Sequence, residues 1–277
     1  MIVIFTLATG RSGTRFLSGL LRHNVKDAVC KHEPYFSPSN PTMFGLPIFQ
    51  YMRGDLEPIR AAVRKKQQRI LRYHAAAYIE TSHAFLKSYA DVAIEFFPEM
   101  KLVHLIRNPL KTARSETNRE LQVNKVHFPF RTYRAPDGGH YFRWALTGKE
   151  PIYDSFADTP LTLFQKYVVQ WIEIENRAMR FLDDYQKHQD CFTMHSPHDL
   201  RSPERVAELI QFFGLEQTNP EIVIKGNQNR TPGARTVIGE TEQQQFRDVV
   251  EALPAQYLEI FTRAPYAEFD WVDLLRK

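Results

Sequence analysis

Two cysteines are all that this 277-residue sequence contains. Cys30 and Cys191 stand far apart, with neither the even, close spacing of a disulfide framework nor the paired spacing of a metal site. Both are expected to be reduced and set in apolar surroundings, as in a cytoplasmic protein. A long hydrophobic run is missing as well. The N-terminal stretch Ile2-Val3-Ile4-Phe5-Thr6-Leu7-Ala8 is too short for a membrane span and has no basic region before it, so it reads as neither anchor nor secretion signal. Charge of one sign is not in strong excess: 36 basic residues against 32 acidic leave a net charge of +4. That balance suits an anionic ligand and is far too weak to indicate nucleic acid. Internal repeats and low-complexity tracts are absent from the sequence. The expectation is a cytoplasmic protein with no nucleic-acid or membrane partner.

What the chain does have is an alternation of short apolar runs and amphipathic segments. Strands are expected at 2–8, 28–32, 77–81, 101–106 and 191–195. Helices are expected at 14–23, 55–73, 84–97, after Asn108, at 162–186, at 203–213 and from Thr241. This order predicts an α/β fold with a central parallel sheet flanked by helices, in a single domain over 1–277. Two stretches break the pattern. Residues 34–47 hold four prolines and read as a loop. From Leu121 to Pro160 prolines and glycines mix with Phe128, Phe130, Tyr133, Tyr141, Phe142 and Trp144. That segment reads as a lid or acceptor-binding insertion, or equally as a surface excursion with its own small apolar cluster.

The first buried strand runs straight into Ala8-Thr9-Gly10-Arg11-Ser12-Gly13-Thr14-Arg15-Phe16. Glycines at a strand-to-helix turn let backbone N–H groups converge, and the helix that follows adds its positive end, which together make an anion site. Arg11 and Arg15 add cations suited to phosphate oxygens, and Ser12 and Thr14 add hydroxyl donors. The turn is not a Walker A loop, because threonine and arginine follow Gly13 where that motif has lysine and a hydroxyl residue. A second anion-binding pattern stands at the end of Leu102-Val103-His104-Leu105-Ile106. There Arg107-Asn108-Pro109 opens a helix that carries Ser115, eight residues after the arginine (115 − 107).

Together, Gly10-Arg11-Ser12-Gly13-Thr14 and the Arg107-to-Ser115 pattern resemble the 5′-phosphosulfate loop and the 3′-phosphate motif of the PAPS-dependent sulfotransferases. The resemblance covers the first 115 residues by motif order and implies the P-loop NTPase-like fold of that family. It implies PAPS as donor, adenosine 3′,5′-bisphosphate as product, no metal, and a carbohydrate or small-molecule hydroxyl as acceptor. The donor-binding residues it implies are Arg11, Ser12, Gly13, Thr14, Arg15, Phe16, Arg107, Ser115 and Lys225. Arg15 departs from the family, which usually has a second threonine there. Only Lys225-Gly226 matches the family's late Arg-Lys-Gly segment, so Lys225 to Arg230 reads equally well as a plain polar loop.

Proton transfer from the acceptor hydroxyl calls for a base, and Glu33 and His83 are the candidates, with His32 a weaker third. His83 resembles the catalytic histidine of cytosolic sulfotransferases, although Thr81 stands where that family has lysine. Glu33 resembles the glutamate that carbohydrate and tyrosylprotein sulfotransferases place after the second strand. Arg11 is expected to stabilise charge on the group in transfer. Two other readings stay open: a P-loop kinase or NTPase using ATP and Mg²⁺, for which Glu80 is the available acid, and an inactive nucleotide-binding module. The basic run Arg60, Arg64, Lys65, Lys66, Arg69 and Arg72 reads as a solvated helix face, with attraction of an anionic acceptor the other possibility.

Overall fold

Five parallel strands make the sheet at the centre of the chain, in a computed structural model that describes residues 1–34, 42–128, 130–225, 237–269 and 271. In chain order the described elements begin with β1 (Ile2–Ala8), α1 (Thr14–Asn24), β2 (Ala28–Lys31), α2 (Leu46–Met52), α3 (Glu57–Ile70) and β3 (Ala77–Glu80). Next come α4 (Ala90–Phe96), β4 (Lys101–Arg107), α5 (Pro109–Lys125), a hairpin of β5 (Thr132–Arg134) and β6 (His140–Phe142), and α6 (Leu163–Asp184). The last are β7 (Cys191–Ser196), α7 (Pro203–Phe212) and α8 (Glu240–Ala252).

The sheet order is β2-β3-β1-β4-β7, every pair parallel. Strands buried on both faces are continuous apolar runs because neither face meets water. Phe5 and Leu7 of β1 point into the layer shared with α6, and Ile4 and Ala8 into the layer shared with α1 and α7. The α/β fold with a central parallel sheet is thus the one the sequence predicts. Cys30 is buried and Cys191 partly so, and burial pushes the two thiols up to about 11 and about 12, as expected of inert reduced cysteines. Among the described residues no helix is long and apolar enough to cross a membrane.

Three local differences from the sequence reading have physical causes. Residues 46–52 form α2 although a loop is expected through 47, because Pro47 falls in the first helical turn, where a missing N–H costs nothing. The helix expected at 84–97 opens as a π-turn over Phe85–Tyr89 before α4. Within that turn the Ser88 hydroxyl donates to Ala84 O at 3.0 Å and to Met43 O at 2.7 Å, competing with the helical ladder. Finally, α5 continues to Lys125, five residues into the stretch expected to be irregular (121 to 125).

Candidate active site

The chain leaves β1 towards β2 and β3 on one side and returns past it to β4 and β7 on the other. The carboxyl ends of β1 and β4 therefore flank the point where the strand order reverses, the crevice in which open α/β sheets hold ligands. The turn after β1 is locked from within. Ser12 is fully buried and its hydroxyl donates to Thr9 O at 2.8 Å, so its proton shapes the turn. Gly13 sits at φ 111° and Arg11 at φ 61°. No side chain caps the start of α1, which leaves its first N–H groups to whatever lies in the turn. Thr14 is buried, Phe16 half-buried and Arg15 exposed. A Cβ on Gly13 would lie 2.9 Å from Leu200 Cδ1 as well as in a conformation L-residues avoid. Gly13→Ala is expected to lower stability by about 1–3 kcal/mol, read from the urea unfolding midpoint.

At the end of β4 the Trp171 indole N–H donates to Arg107 O at 3.1 Å and seats the strand's last residue against α6. Asn108 caps α5 by accepting from Lys111 N at 3.1 Å, with Pro109 next in the helix. From that fixed position Arg107 Nη1 donates to Arg11 O at 2.5 Å, and Arg11 Nε donates to Ser115 Oγ at 3.0 Å. Residues about a hundred positions apart thus meet at one place (107 − 11 = 96; 115 − 11 = 104). Both guanidiniums are pushed below their usual value by burial, and Arg107 further by the charge of Arg11. Two half-buried cations brought together in this way form a site suited to an anion.

The β2–β3 pairing supplies the other half. Lys31 lies opposite Glu80, so two or three further residues bring Glu33 level with Ser82 and His83. His32 closes this corner with its Nδ1 2.8 Å from Thr81 O. Glu33 adopts φ 43°, a costly conformation for glutamate, and its Oε1 stands 3.2 Å from His83 Nε2. Glu33 is the more accessible, with 25% of its side chain exposed against 2% for His83, whose ring also packs on Phe44. Burial pushes His83 down to about 4, assisted by the charge of Lys87. Burial alone would raise Glu33, but His83, His32 and Arg119 together outweigh it and hold the carboxyl at about 2. At neutral pH the pair is therefore a carboxylate beside a neutral imidazole.

Three residues that the sequence reading did not single out complete the cluster. Glu116, next to Ser115 on α5, is buried against Gly10, where a Cβ would come within 1.8 Å of its Oε1. Glycine at position 10 is thus required by this close approach. Arg119, one turn on, pairs with Glu116 Oε2 at 2.7 Å and lies under the rings of Phe142 and Trp144 at 5.7 and 5.5 Å. Lys87, in the π-turn, is fully buried and donates to Trp144 O at 2.6 Å. Helical spacing from Ser115 was the one available signal for Arg119, and Glu116, adjacent to Ser115, had none.

Lys225 is exposed and lines a shallow depression on the flank of α1 with Phe16, Gly19 and His23. Asn24 holds the chain leading to it, donating to Val223 O at 2.9 Å and accepting from Val223 N at 2.7 Å. The rest of that polar segment, 226–230, lies outside the described residues. Glu80, the acid a metal-dependent reading would need, is engaged elsewhere. Its carboxylate accepts from Lys66 Nζ at 2.6 Å, Tyr78 OH at 2.6 Å and Tyr89 OH at 2.9 Å, all in the core. Glu80→Ala would strand the buried Lys66 ammonium and is expected to cost about 3–5 kcal/mol in equilibrium unfolding, with anion binding at the Gly10–Thr14 turn unchanged. The basic run on α3 is partly engaged as well. Arg60 pairs with Glu57 and Glu95, and Arg64 lies over the Phe96 ring.

No family model matches the chain, and no curated protein matches it. Among solved structures it is similar to a sulfotransferase from Alicyclobacillus acidocaldarius, with 16% identity, a TM-score of 0.48, and 95% of this chain and 99% of that chain covered. It is also similar to the sulfotransferase domain from the curacin biosynthetic pathway, with 14% identity, a TM-score of 0.42, and 82% of this chain and 78% of that chain covered.

Proposed function

We propose that this chain is a sulfotransferase that moves a sulfuryl group from PAPS to the hydroxyl of a carbohydrate or small-molecule acceptor. The observation that carries this reading is the meeting of Arg11, Arg107 and Ser115 within hydrogen-bond distance at the ends of β1 and β4. A donor with phosphate at both the 5′ and 3′ positions needs two neighbouring anion sites, and the two sequence motifs supply one each. PAPS, when bound, supplies the activated sulfuryl group. The turn from Gly10 to Thr14 holds the 5′ end with its backbone N–H groups, and Arg11 stabilises charge there as the bond to the leaving phosphate breaks. Arg107 and Ser115 hold the 3′-phosphate.

Glu33, the accessible member of its pair, takes the proton from the acceptor hydroxyl. His83 stands behind it and shares the charge change. Phe142 and Trp144 of the 121–160 segment reach this cluster through Arg119 and Lys87, and in this reading the acceptor enters beside them. That favours an acceptor with a flat or ring-shaped face.

Glu80 also bears on the kinase and NTPase reading: its oxygens are committed to Lys66, Tyr78 and Tyr89, away from the turn. The direct test is transfer of labelled sulfate from PAPS to a panel of phenols, sugars and simple alcohols. Labelled product from at least one class is expected. Tight bisphosphate binding with no transfer to any class would leave an inactive binding module.

A further inference from the structure

Lys87 is a buried cation with no evident part in binding the donor. It lies four residues after His83, one helical turn on, in the π-turn Phe85–Tyr89. π-turns within helices concentrate at functional sites. The turn is held from two sides. Arg177 of α6 donates to Leu86 O at 3.2 Å and to Lys87 O at 3.5 Å, while its Nε pairs with Glu173 at 2.7 Å. On the opposite side Lys87 Nζ donates to Trp144 O at 2.6 Å. A backbone carbonyl offers an ammonium no neutralising charge, and a hydrophobic side chain of the same length would be cheaper to bury there. The ammonium's only hydrogen-bond partner among the described residues is that carbonyl, and the nearby carboxylates of Glu116 and Glu33 belong to the candidate site itself.

Its surroundings suggest a role in that site. The charged groups that act on His83 are Lys87 on its own turn, Glu33 after β2 and Arg119 on α5. Those that act on Lys87 are Glu116 and Arg119 on α5, Glu33 after β2 and Arg177 on α6. The ammonium is thus packed into the same cluster as the two candidate proton acceptors. Through Trp144 it is also tied to the aromatic segment, whose Phe142 and Trp144 rings lie over Arg119.

We propose that Lys87 is the positioning residue of the Glu33–His83 pair, a buried ammonium one helical turn from the buried imidazole that keeps the ring neutral and ties the aromatic segment to the same turn through the Trp144 carbonyl. Repulsion by the ammonium keeps the imidazole neutral beside the Glu33 carboxylate, 3.2 Å away, so that the ring orients the carboxylate that takes the acceptor proton. The role of the pair in proton transfer rests on the sulfotransferase reading; the electrostatic link between Lys87 and His83 does not. Burial lowers Lys87 to about 7 against the opposing charge of Glu116, so the ammonium is charged throughout the range in which His83 titrates.

The test is NMR titration of the full-length chain, with the His83 ring signal assigned by its loss in His83→Gln. In the unsubstituted protein His83 is expected to stay neutral down to about pH 4, and the Lys87 side-chain carbon signal to titrate near about pH 7. In Lys87→Met the His83 midpoint is expected to rise by about one unit or more, a tenfold gain in proton affinity. The acid limb of the transfer rate should move up with it. An unchanged His83 midpoint in Lys87→Met overturns the proposal. If that variant does not fold, the unsubstituted protein decides: a lysine titrating at its ordinary value beside a histidine at its ordinary value overturns it equally. Neither NMR readout depends on sulfate transfer, so a protein without activity and a protein without this coupling give different results.

Discussion

Glu33→Gln is expected to lower sulfate transfer from PAPS by about 10²–10⁴-fold, the usual contribution of a positioned general base. Glutamine keeps the shape of the side chain and its contact with His83 but cannot take the acceptor proton. Adenosine 3′,5′-bisphosphate should still bind the variant, because Glu33 belongs to neither donor motif and its removal takes a negative charge from the surroundings of Arg11. His83→Gln should lose less, since His83 is only 2% exposed and reaches the acceptor through Glu33. Residues that act as a unit are not additive, so the double variant should be little worse than Glu33→Gln alone.

The pH profile follows from the same pair. A base works unprotonated, and both groups are pushed below their ordinary values, Glu33 to about 2 and His83 to about 4. Transfer should hold through neutrality and fall only as the pH drops through about 4. A profile that fell near the ordinary histidine value would show that His83 is not held as the geometry requires. Equal activity of Glu33→Gln and the unsubstituted protein would remove Glu33 from the mechanism.

The second large effect is on the donor. Arg11→Ala and Arg107→Ala should each weaken adenosine 3′,5′-bisphosphate by about 100-fold or more, about 3 kcal/mol, the scale of charge-assisted contacts to phosphate in a partly buried site. Each loss has a structural component, because Arg107 also fixes the Arg11 carbonyl and Arg11 the Ser115 hydroxyl. Arg107→Lys keeps the charge without the guanidinium fork and should recover only part of the affinity. Arg15→Ala, at an exposed position outside the turn, should lose far less. Normal affinity in both Arg11→Ala and Arg107→Ala would contradict the site.

Much of this was legible in the sequence because it is local. A strand, a glycine turn and an amphipathic helix lie consecutively at 2–24, and a strand, Arg107, Pro109 and a helix at 101–125, so each motif carries its own geometry. The meeting of Glu33 with His83 was not legible, since it depends on the register of β2 against β3, fifty residues apart (83 − 33). Ser12 read as a free donor because nothing in the sequence shows that its proton turns back to Thr9 O. Glu116 and Lys87 were hidden for a related reason. Charged residues at helical spacing read as a solvated face, and only the approach of Gly10 and the widened turn at 85–89 bring them inward. The loss of Glu80 to the core likewise needed a partner, Lys66, that looked like part of a basic surface.

Calorimetric titration of the unsubstituted chain with adenosine 3′,5′-bisphosphate, set beside ATP with Mg²⁺, tests the central claim most directly. Clear binding of the bisphosphate without added metal, at least tenfold tighter than ATP with Mg²⁺, is the predicted result. Metal-dependent ATP binding with no detectable bisphosphate binding would contradict it.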